Sequence, residues 1–310
     1  MTERSQPKIV SLGSINMDRV IRCTRLPLPG ETVTSHDSEE VCGGKGANQA
    51  VAAARAGGDV SMIGRVGDDD LGRTMLTNLQ DFGVDTDCVR VTPGTQSGLA
   101  IVAVEQSGQN SILVIPAANG SVSSEDVTAS EPLIAEADVI LLQMEIPIPA
   151  ILTAIDIARR NTTRIVFDPA PVPKSHIHQL IQVDLICPNE HEASELTGRT
   201  VDDIQDSERA AHALLQQGSK DVIITLGEKG SAMLSQGKFH HIPAYKIDAI
   251  DTTAAGDAFT GALAVRWAET DDLLDAVNFA SAAGAIAASS PGAQPSLGDR
   301  AQIEALMRTR

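Results

Sequence analysis

Val139-Ile140-Leu141-Leu142, the stretch from Ala150 to Arg160, and Arg164-Ile165-Val166-Phe167 follow one another as a short apolar run, a helical segment and a second apolar run. Runs of consecutive apolar residues suit strands buried on both faces, and a helix between two such strands is the connection a parallel sheet requires. The unit repeats in both directions. Toward the amino terminus, Lys8-Ile9-Val10-Ser11-Leu12 reads as a first buried strand ending at Gly13, and Gly46 to Ala56 as an Ala-rich helix closed by Gly57-Gly58. Val60-Ser61-Met62-Ile63 is then a strand, and Gly72 to Asp81 a helix stopped near Gly83. Toward the carboxyl terminus come the strand Leu185-Ile186-Cys187, a helix beginning near Glu190, and the strand Asp221-Val222-Ile223-Ile224-Thr225. Long helices over Gly256 to Glu269 and Leu273 to Ala288 close the series. The expected fold is α/β: a doubly wound, mostly parallel sheet with helices on both faces.

Two regions break the alternation. Val20 to Val41 and Ser97 to Ile115 carry period-2 or β-branched patterning, and Gln106-Ser107-Gly108-Gln109-Asn110 reads as a hairpin turn. They predict a small β-sheet lid, formed by about 16–42 and 97–117, on a single α/β domain spanning 1–310. Ordinary edge strands are the other reading. Neither an internal repeat nor a Pro/Ser-rich linker divides the chain.

Composition narrows the function. Apolar residues make up 42% of the 310 and aromatics only 2%, so the core must be built from Ala, Val, Ile and Leu. A net charge of −17 argues against nucleic-acid or anionic-membrane partners, which need a basic surface. Cys23, Cys42, Cys88 and Cys187 show no CxxC or Cys/His spacing, which points to a reducing compartment. The amino terminus lacks the apolar core of a secretory signal, and no apolar run reaches the ~18 residues of a membrane span. A soluble, cytoplasmic protein is expected.

Asp251-Thr252-Thr253-Ala254-Ala255-Gly256-Asp257 is the strongest candidate for chemistry. Small residues and a glycine before a helix leave successive N–H groups unblocked at the positive end of the helix dipole, an arrangement that holds anions. Such a hole stabilises the equatorial oxygens of a transferring phosphoryl group, and Asp257 in the first turn can take a proton from a hydroxyl beside it. By itself the segment reads more readily as a capped helix start. Gly43-Gly44-Lys45-Gly46-Ala47-Asn48 is a second glycine-dense loop entering a helix; it is neither a Walker A loop nor a GxGxxG fingerprint. Its glycines permit close backbone approach to a ligand with Lys45 and Asn48 as polar contacts, or simply a tight turn. Gly13-Ser14-Ile15-Asn16-Met17-Asp18 ends the first strand with Asn16 and Asp18 on one side, where α/β folds bind ligands. Paired Asn and Asp suit adjacent hydroxyls, or an Asx-turn.

Other segments are set aside. Asp81-Phe82-Gly83 spells a protein-kinase motif without its catalytic loop and reads as a helix end. His176, His178, His240 and His241 lack ligand spacing, and Gly67 to Gly72 is a turn with helix-capping carboxylates.

Taken in order, these segments resemble the ribokinase (phosphofructokinase-B) family of carbohydrate kinases over almost the whole chain. Also matching are Pro29-Gly30-Glu31-Thr32, Gly64-Arg65-Val66-Gly67-Asp68-Asp69, Gln143-Met144-Glu145, Asp168-Pro169-Ala170-Pro171 and Pro188-Asn189-Glu190. Thr225-Leu226-Gly227-Glu228-Lys229-Gly230 and Gly292-Ala293-Gln294-Pro295-Ser296 complete the set. The resemblance implies ATP-dependent phosphorylation of the 5-hydroxyl of D-ribose. It assigns the base to Asp257 and the anion hole to Ala254, Ala255 and Gly256. Sugar contacts fall to Asn16, Asp18, Gly44, Lys45, Asn48 and Glu145, covered by Leu99, Ala100 and Ile112 of the flap. Nucleotide contacts fall to Asn189, Thr225, Gly227, Lys229, Gly230, Gly256 and Ser281, with Glu192 placing Mg²⁺ through water. A potassium ion is implied at Asp251, Ser296 and the carbonyls of Thr253, Ala287, Ser290 and Gly292. A homodimer paired through the lids is implied as well. A kinase for deoxyribose, another sugar or a nucleoside, and a catalytically silent sugar-binding protein, are the alternatives; the intact Asp257 segment speaks against the last.

Overall fold

The computed structural model describes residues 6–105 and 110–310. In chain order the strands are β1 (Lys8–Leu12), β2 (Asn16–Cys23), β3 (Ser35–Gly43), β4 (Asp59–Gly67), β5 (Val84–Asp85), β6 (Val89–Thr92) and β7 (Gly98–Glu105). They continue as β8 (Asn110–Ile115), β9 (Val139–Leu142), β10 (Arg164–Phe167), β11 (Leu185–Ile186), β12 (Asp221–Thr225), β13 (Ser231–Ser235) and β14 (Lys238–Ile242). The large sheet has the order β14-β13-β12-β11-β10-β9-β1-β4-β5, with β6 also paired to β4. Every pairing from β12 to β5 is parallel; β13 and β14 add an antiparallel edge. That edge hairpin, and the helices Ser124–Ala129, Glu131–Glu136, Ile204–Gln217 and Arg300–Met307, were not anticipated from sequence.

Alternation along each strand fills two cores. Ile9, Val139, Leu141, Val166 and Leu185 face the layer that holds helices Lys45–Arg55, Ala255–Thr270 and Leu273–Ala288. Val10, Leu12, Ile140, Leu142, Ile165 and Phe167 face the layer of Ile148–Asn161 and Ile204–Gln217. The small-residue composition has a direct consequence here. Ala52 and Ala53 meet Gly261 so closely that a Cβ on Gly261 would lie 2.5 Å from the Gln49 carbonyl oxygen and 2.7 Å from the Ala52 Cβ. Close approach of helices Lys45–Arg55 and Ala255–Thr270 carries the polar start of one to the polar start of the other.

β2, β3, β7 and β8 form a second sheet, ordered β3-β2-β7-β8. β2 pairs antiparallel with β3 and parallel with β7, and β7 antiparallel with β8. The predicted turn over 106–110 lies outside the described residues apart from Asn110, where β8 begins. Asp69 caps helix Asp70–Asp81 by accepting from Gly72 N–H, and that helix ends before Gly83 at φ +80°, so both set-aside segments have the capping and terminating roles expected of them. Among the described residues no helix is long and apolar enough to cross a membrane, and the four cysteines are free thiols.

Candidate active site

β1 lies between β9 and β4, so the chain winds away from it in both directions and opens a crevice beyond its carboxyl end. Gly13 to Asn16 leave β1 there, and the glycine loop closes against them. A Cβ on Gly44, whose φ is +89°, would stand 2.7 Å from Asn16 N and 2.9 Å from Ser14 O. One on Gly46 would stand 2.6 Å from Gly13 Cα. These glycines are required by backbone against backbone. The Asn16–Asp18 pair needs them too: a Cβ on Gly43 would lie 2.2 Å from Asp18 Oδ2, and one on Gly98 2.3 Å from Asn16 Oδ1.

Register decides which flap residues share that face. Asp18 is opposite Ala100 in β7, Ala100 is opposite Val114 in β8, and Val102 is opposite Ile112. Ala100, Ile112 and Val114 therefore lie on the face that carries Asn16 and Asp18, while Leu99, paired with Met17, lies on the other. Ala100 is buried and Ile112 is 54% exposed.

At the start of helix Ala255–Thr270, Ala254 has left-handed backbone at φ +59°. The Ala255 N–H donates to Thr252 O at 3.2 Å, whereas the N–H groups of Gly256 and Asp257 have no backbone acceptor among the described residues. Asp257 is buried, and each carboxylate oxygen meets an amide. Asn48 Nδ2 donates to its Oδ2 at 2.9 Å and Gln49 Nε2 to its Oδ1 at 3.1 Å. Glu145, just past β9, accepts from Ser14 Oγ at 2.5 Å and from Lys45 N at 3.2 Å. Lys45 Nζ lies 4.0 Å from Asp168 Oδ2, at the end of β10.

Five carboxylates around one ammonium give the site its electrostatics. Burial, then Glu145 and Asp257, raises Asp18 to about 7. Burial raises Asp168 to about 8 against the opposing pull of Lys45. Burial works against the Lys45 charge, but Asp168, Asp257, Glu145 and Glu192 outweigh it and push its value upward. A lone cation among acidic groups is suited to hold a polyanion or a hydroxyl oxygen in a protein of net negative charge.

Beyond β11, Asn189 and Glu192 cap helix Glu190–Thr197 reciprocally, with Asn189 N donating to Glu192 Oε2 at 2.8 Å and Glu192 N to Asn189 Oδ1 at 2.9 Å. Asn189 bridges Thr225 at the end of β12, so the two sit side by side. The loop from Thr225 closes with Leu226 N donating to Gly230 O at 2.8 Å, and Gly227 at φ +55° faces open space. Lys229 Nζ is tied to Glu190 Oε1 and Asp202 O, each at 2.8 Å, rather than reaching back over that loop. Ser281 Oγ bonds to Val277 O of its own helix at 2.8 Å. A cleft of about 700 Å³ lined by Glu190, His191, Arg199, Asp202 and Lys229 includes none of the residues at the β1 end.

Asp251 joins two loops. Its Oδ1 accepts from Thr253 N and its Oδ2 from Gly292 N, both at 2.9 Å. Burial opposes its charge, but hydrogen bonds from the Thr253 hydroxyl and the Gly292 and Thr253 N–H groups prevail and lower its value. Ala287 O already accepts from Ser290 N at 3.2 Å, and the buried Ser296 Oγ donates to Ala293 O at 2.7 Å. This donor set is all oxygen with one carboxylate, which fits a hard cation of low charge. For a divalent ion the described residues assemble no group of three or more His, Cys, Asp or Glu side chains. A single carboxylate such as Glu192 fits a magnesium ion that would keep its waters and take its other oxygens from phosphates.

Several residues hold the site together in ways that the sequence does not assign to them. Asn119 is buried; its Oδ1 accepts from Ile15 N at 3.0 Å, and its Nδ2 donates to Ile15 O at 3.1 Å and Asn16 Oδ1 at 2.7 Å. It thereby leaves the Asn16 amide nitrogen for a ligand. Gln294 Nε2 donates to Asn48 Oδ1 at 3.2 Å, and Gln143 Nε2 to Gln49 Oε1 at 2.6 Å. Only contact across 94 to 246 positions of chain gives them these roles.

Known proteins share this architecture. A family model described as pfkB family carbohydrate kinase matches residues 6–300. Over 289 residues, 93% of this chain and 94% of that one, the sequence is 40% identical to a ribokinase of Haemophilus influenzae. It is 34% identical to a deoxyribokinase of Salmonella typhi over the same shares. The structure of Arabidopsis thaliana ribokinase complexed with ribose and ATP matches with a TM-score of 0.88 at 32% identity, covering 98% of this chain and 99% of that one.

Proposed function

Because this chain belongs to the pfkB family of carbohydrate kinases, we propose that it transfers the γ-phosphoryl group of ATP to the 5-hydroxyl of D-ribose, releasing ADP and D-ribose 5-phosphate. The supporting observation is the buried Asp257 carboxylate, facing an amide donor at each oxygen, one residue after the open Gly256 N–H at a helix start. Asp257 takes the proton of the attacking hydroxyl as its oxygen bonds to phosphorus and the bridging P–O bond to ADP breaks. The amides of 254–256, Gly256 foremost since Ala255 N–H is engaged, receive the negative charge of the equatorial oxygens.

Asn16, Asp18, Gly44, Lys45, Asn48 and Glu145 hold the sugar hydroxyls, and Ala100 and Ile112 of the second sheet cover them as a lid on a single α/β domain. Asn189, Thr225, Gly227, Gly230 and Ser281 line the nucleotide side; Lys229 serves there by bracing Glu190 and the Asp202 carbonyl. Glu192 would hold a Mg²⁺ through water, which would neutralise charge at the phosphates. Asp251, Thr253, Ala287, Ser290, Gly292 and Ser296 would hold a potassium ion and so order the loop that carries the amides. The exposed β8 edge pairs two copies through the lid. Cytoplasmic free sugar and ATP are the partners this reading requires.

A deoxyribose preference is the second reading, favoured by the deoxyribokinase relative. Asn16 and Asp18, fitted to adjacent hydroxyls, favour ribose, although one hydroxyl shifts preference by only a few kcal/mol. A panel of ribose, 2-deoxyribose, fructose and adenosine with coupled ADP detection, run in K⁺ and in Na⁺, tests the proposal. Ribose in K⁺ should turn over fastest. Fast turnover of another substrate with ribose idle would reject the assignment, and equal rates in both salts would reject the cation site.

A further inference from the structure

We propose that Gln49 is a positioning residue for the base: its amide, oriented by Gln143, holds the Asp257 carboxylate toward the sugar hydroxyl and joins it to Asp168. This rests on Asp257 being the base. Gln49 is fully buried, and its Oε1 accepts from Gln143 Nε2 at 2.6 Å, the orientation that two carboxylates at its other end require. Its nitrogen then serves two carboxylates, Asp168 Oδ2 at 2.8 Å and Asp257 Oδ1 at 3.1 Å. Asn48 repeats the logic on the other oxygen. Accepting from Gln294 at 3.2 Å, it can present only N–H to Asp257 Oδ2, at 2.9 Å.

Each oxygen of Asp257 thus meets one N–H whose direction is imposed from a different strand or loop. Such donors fix the direction of the carboxylate, and each oxygen keeps a lone pair with which to accept a proton. If Asp257 swung away, Gln49 would keep only Asp168 as acceptor, in a buried site where lost hydrogen bonds are expensive. The charged groups acting around this network are Lys45 of helix Lys45–Arg55, Asp18 of β2, Glu145 beyond β9, Asp168 beyond β10 and Glu192 of helix Glu190–Thr197. Lys45 is the one cation among them, and its nearest carboxylate contact is Asp168 at 4.0 Å, so the hydrogen bonds at Asp257 itself come from the amides.

The test is kcat against pH at saturating D-ribose and ATP for the parent, Gln49→Met, Gln49→Glu and Asp257→Asn. Gln49→Met keeps the volume and removes both donors. It should move the acid limb of kcat up by about one to two pH units, lower kcat roughly 10–100-fold, and leave KM for ribose within about threefold. Gln49→Glu donates only while protonated, so its kcat should fall as pH rises where the parent's is flat. A merely structural role would lower activity without moving either limb. Limbs parallel to the parent's in both variants, with Asp257→Asn inactive, would overturn the role of Gln49 and leave the base in place. Near-parental turnover by Asp257→Asn would overturn the base, and the proposal with it. Should Gln49→Met fail to fold, the Gln49→Glu profile decides alone.

Discussion

Asp18, partly buried, feels two other carboxylates, Glu145 and Asp257, and it holds its proton to about 7. In the unfolded chain the same group loses it near 3.8. Between those values the folded state binds more protons, so this residue makes stability fall as pH rises from about 4 to 7. The usual carboxylate behaviour is the opposite. Replacing Asp18 by Asn removes the penalty: the gain in melting temperature over the parent should be largest at pH 8 and shrink toward pH 4, measured by scanning calorimetry. A gap that stays constant over that range would show that Asp18 is not raised. If Asp18 holds a sugar hydroxyl as proposed, the same change should weaken sugar binding, a trade of function for stability. Neither effect is visible in Gly13-Ser14-Ile15-Asn16-Met17-Asp18 as a string, because the charges that act on Asp18 lie 127 and 239 positions away.

Helices and loops carry the next level of the design. The glycine loop was legible as a place of close approach, but its partner was not: the approach is to Ser14–Asn16 of the same chain, which forms the floor on which a ligand would sit. Gly44→Ala combines a strained φ of +89° with overlap onto Asn16 N, and should destabilise by about 2–4 kcal/mol in urea denaturation. Gly83→Ala, at φ +80° but facing open space, should cost only the conformational part, about 1 kcal/mol. Equal losses at the two positions would mean that contact with β1 contributes nothing. Helix Lys45–Arg55 illustrates the limit of periodicity. Asn48 and Gln49 are neighbours that a 3.6-residue repeat points 100° apart, yet both reach Asp257, because close Ala/Gly packing seats the second helix between their directions.

At the level of the molecule, β8 is the feature that calls for a partner. Ile112, Leu113, Val114 and Ile115 are 54%, 68%, 49% and 44% exposed, consecutive, and at the outer edge of the second sheet. An apolar edge strand left in water invites pairing, and a second copy covering it is the economical solution. Leu113→Lys should therefore halve the mass seen by light scattering while the melting transition changes little. A parent chain that is already monomeric, or a variant that stays dimeric, would remove the lid from the interface.

What the sequence determined by itself is the framework. Runs such as Val139 to Leu142 cannot be solvated on either side, so they become central parallel strands, and the Ala-rich segments between them become the helices that cover both faces. The Asp257 and Gly44 segments were likewise visible, since backbone chemistry at a helix start and at glycine is local. Only the tertiary structure decided how those pieces act together. Hydrogen bonds fall away beyond about 3.5 Å, so Gln49, Asn119, Gln143 and Gln294 acquire a role only once strand order and helix packing bring them to the same crevice. The edge hairpin of β13 and β14 was missed for a related reason: an edge strand is recognised by the neighbour it lacks, which is a property of the assembled sheet.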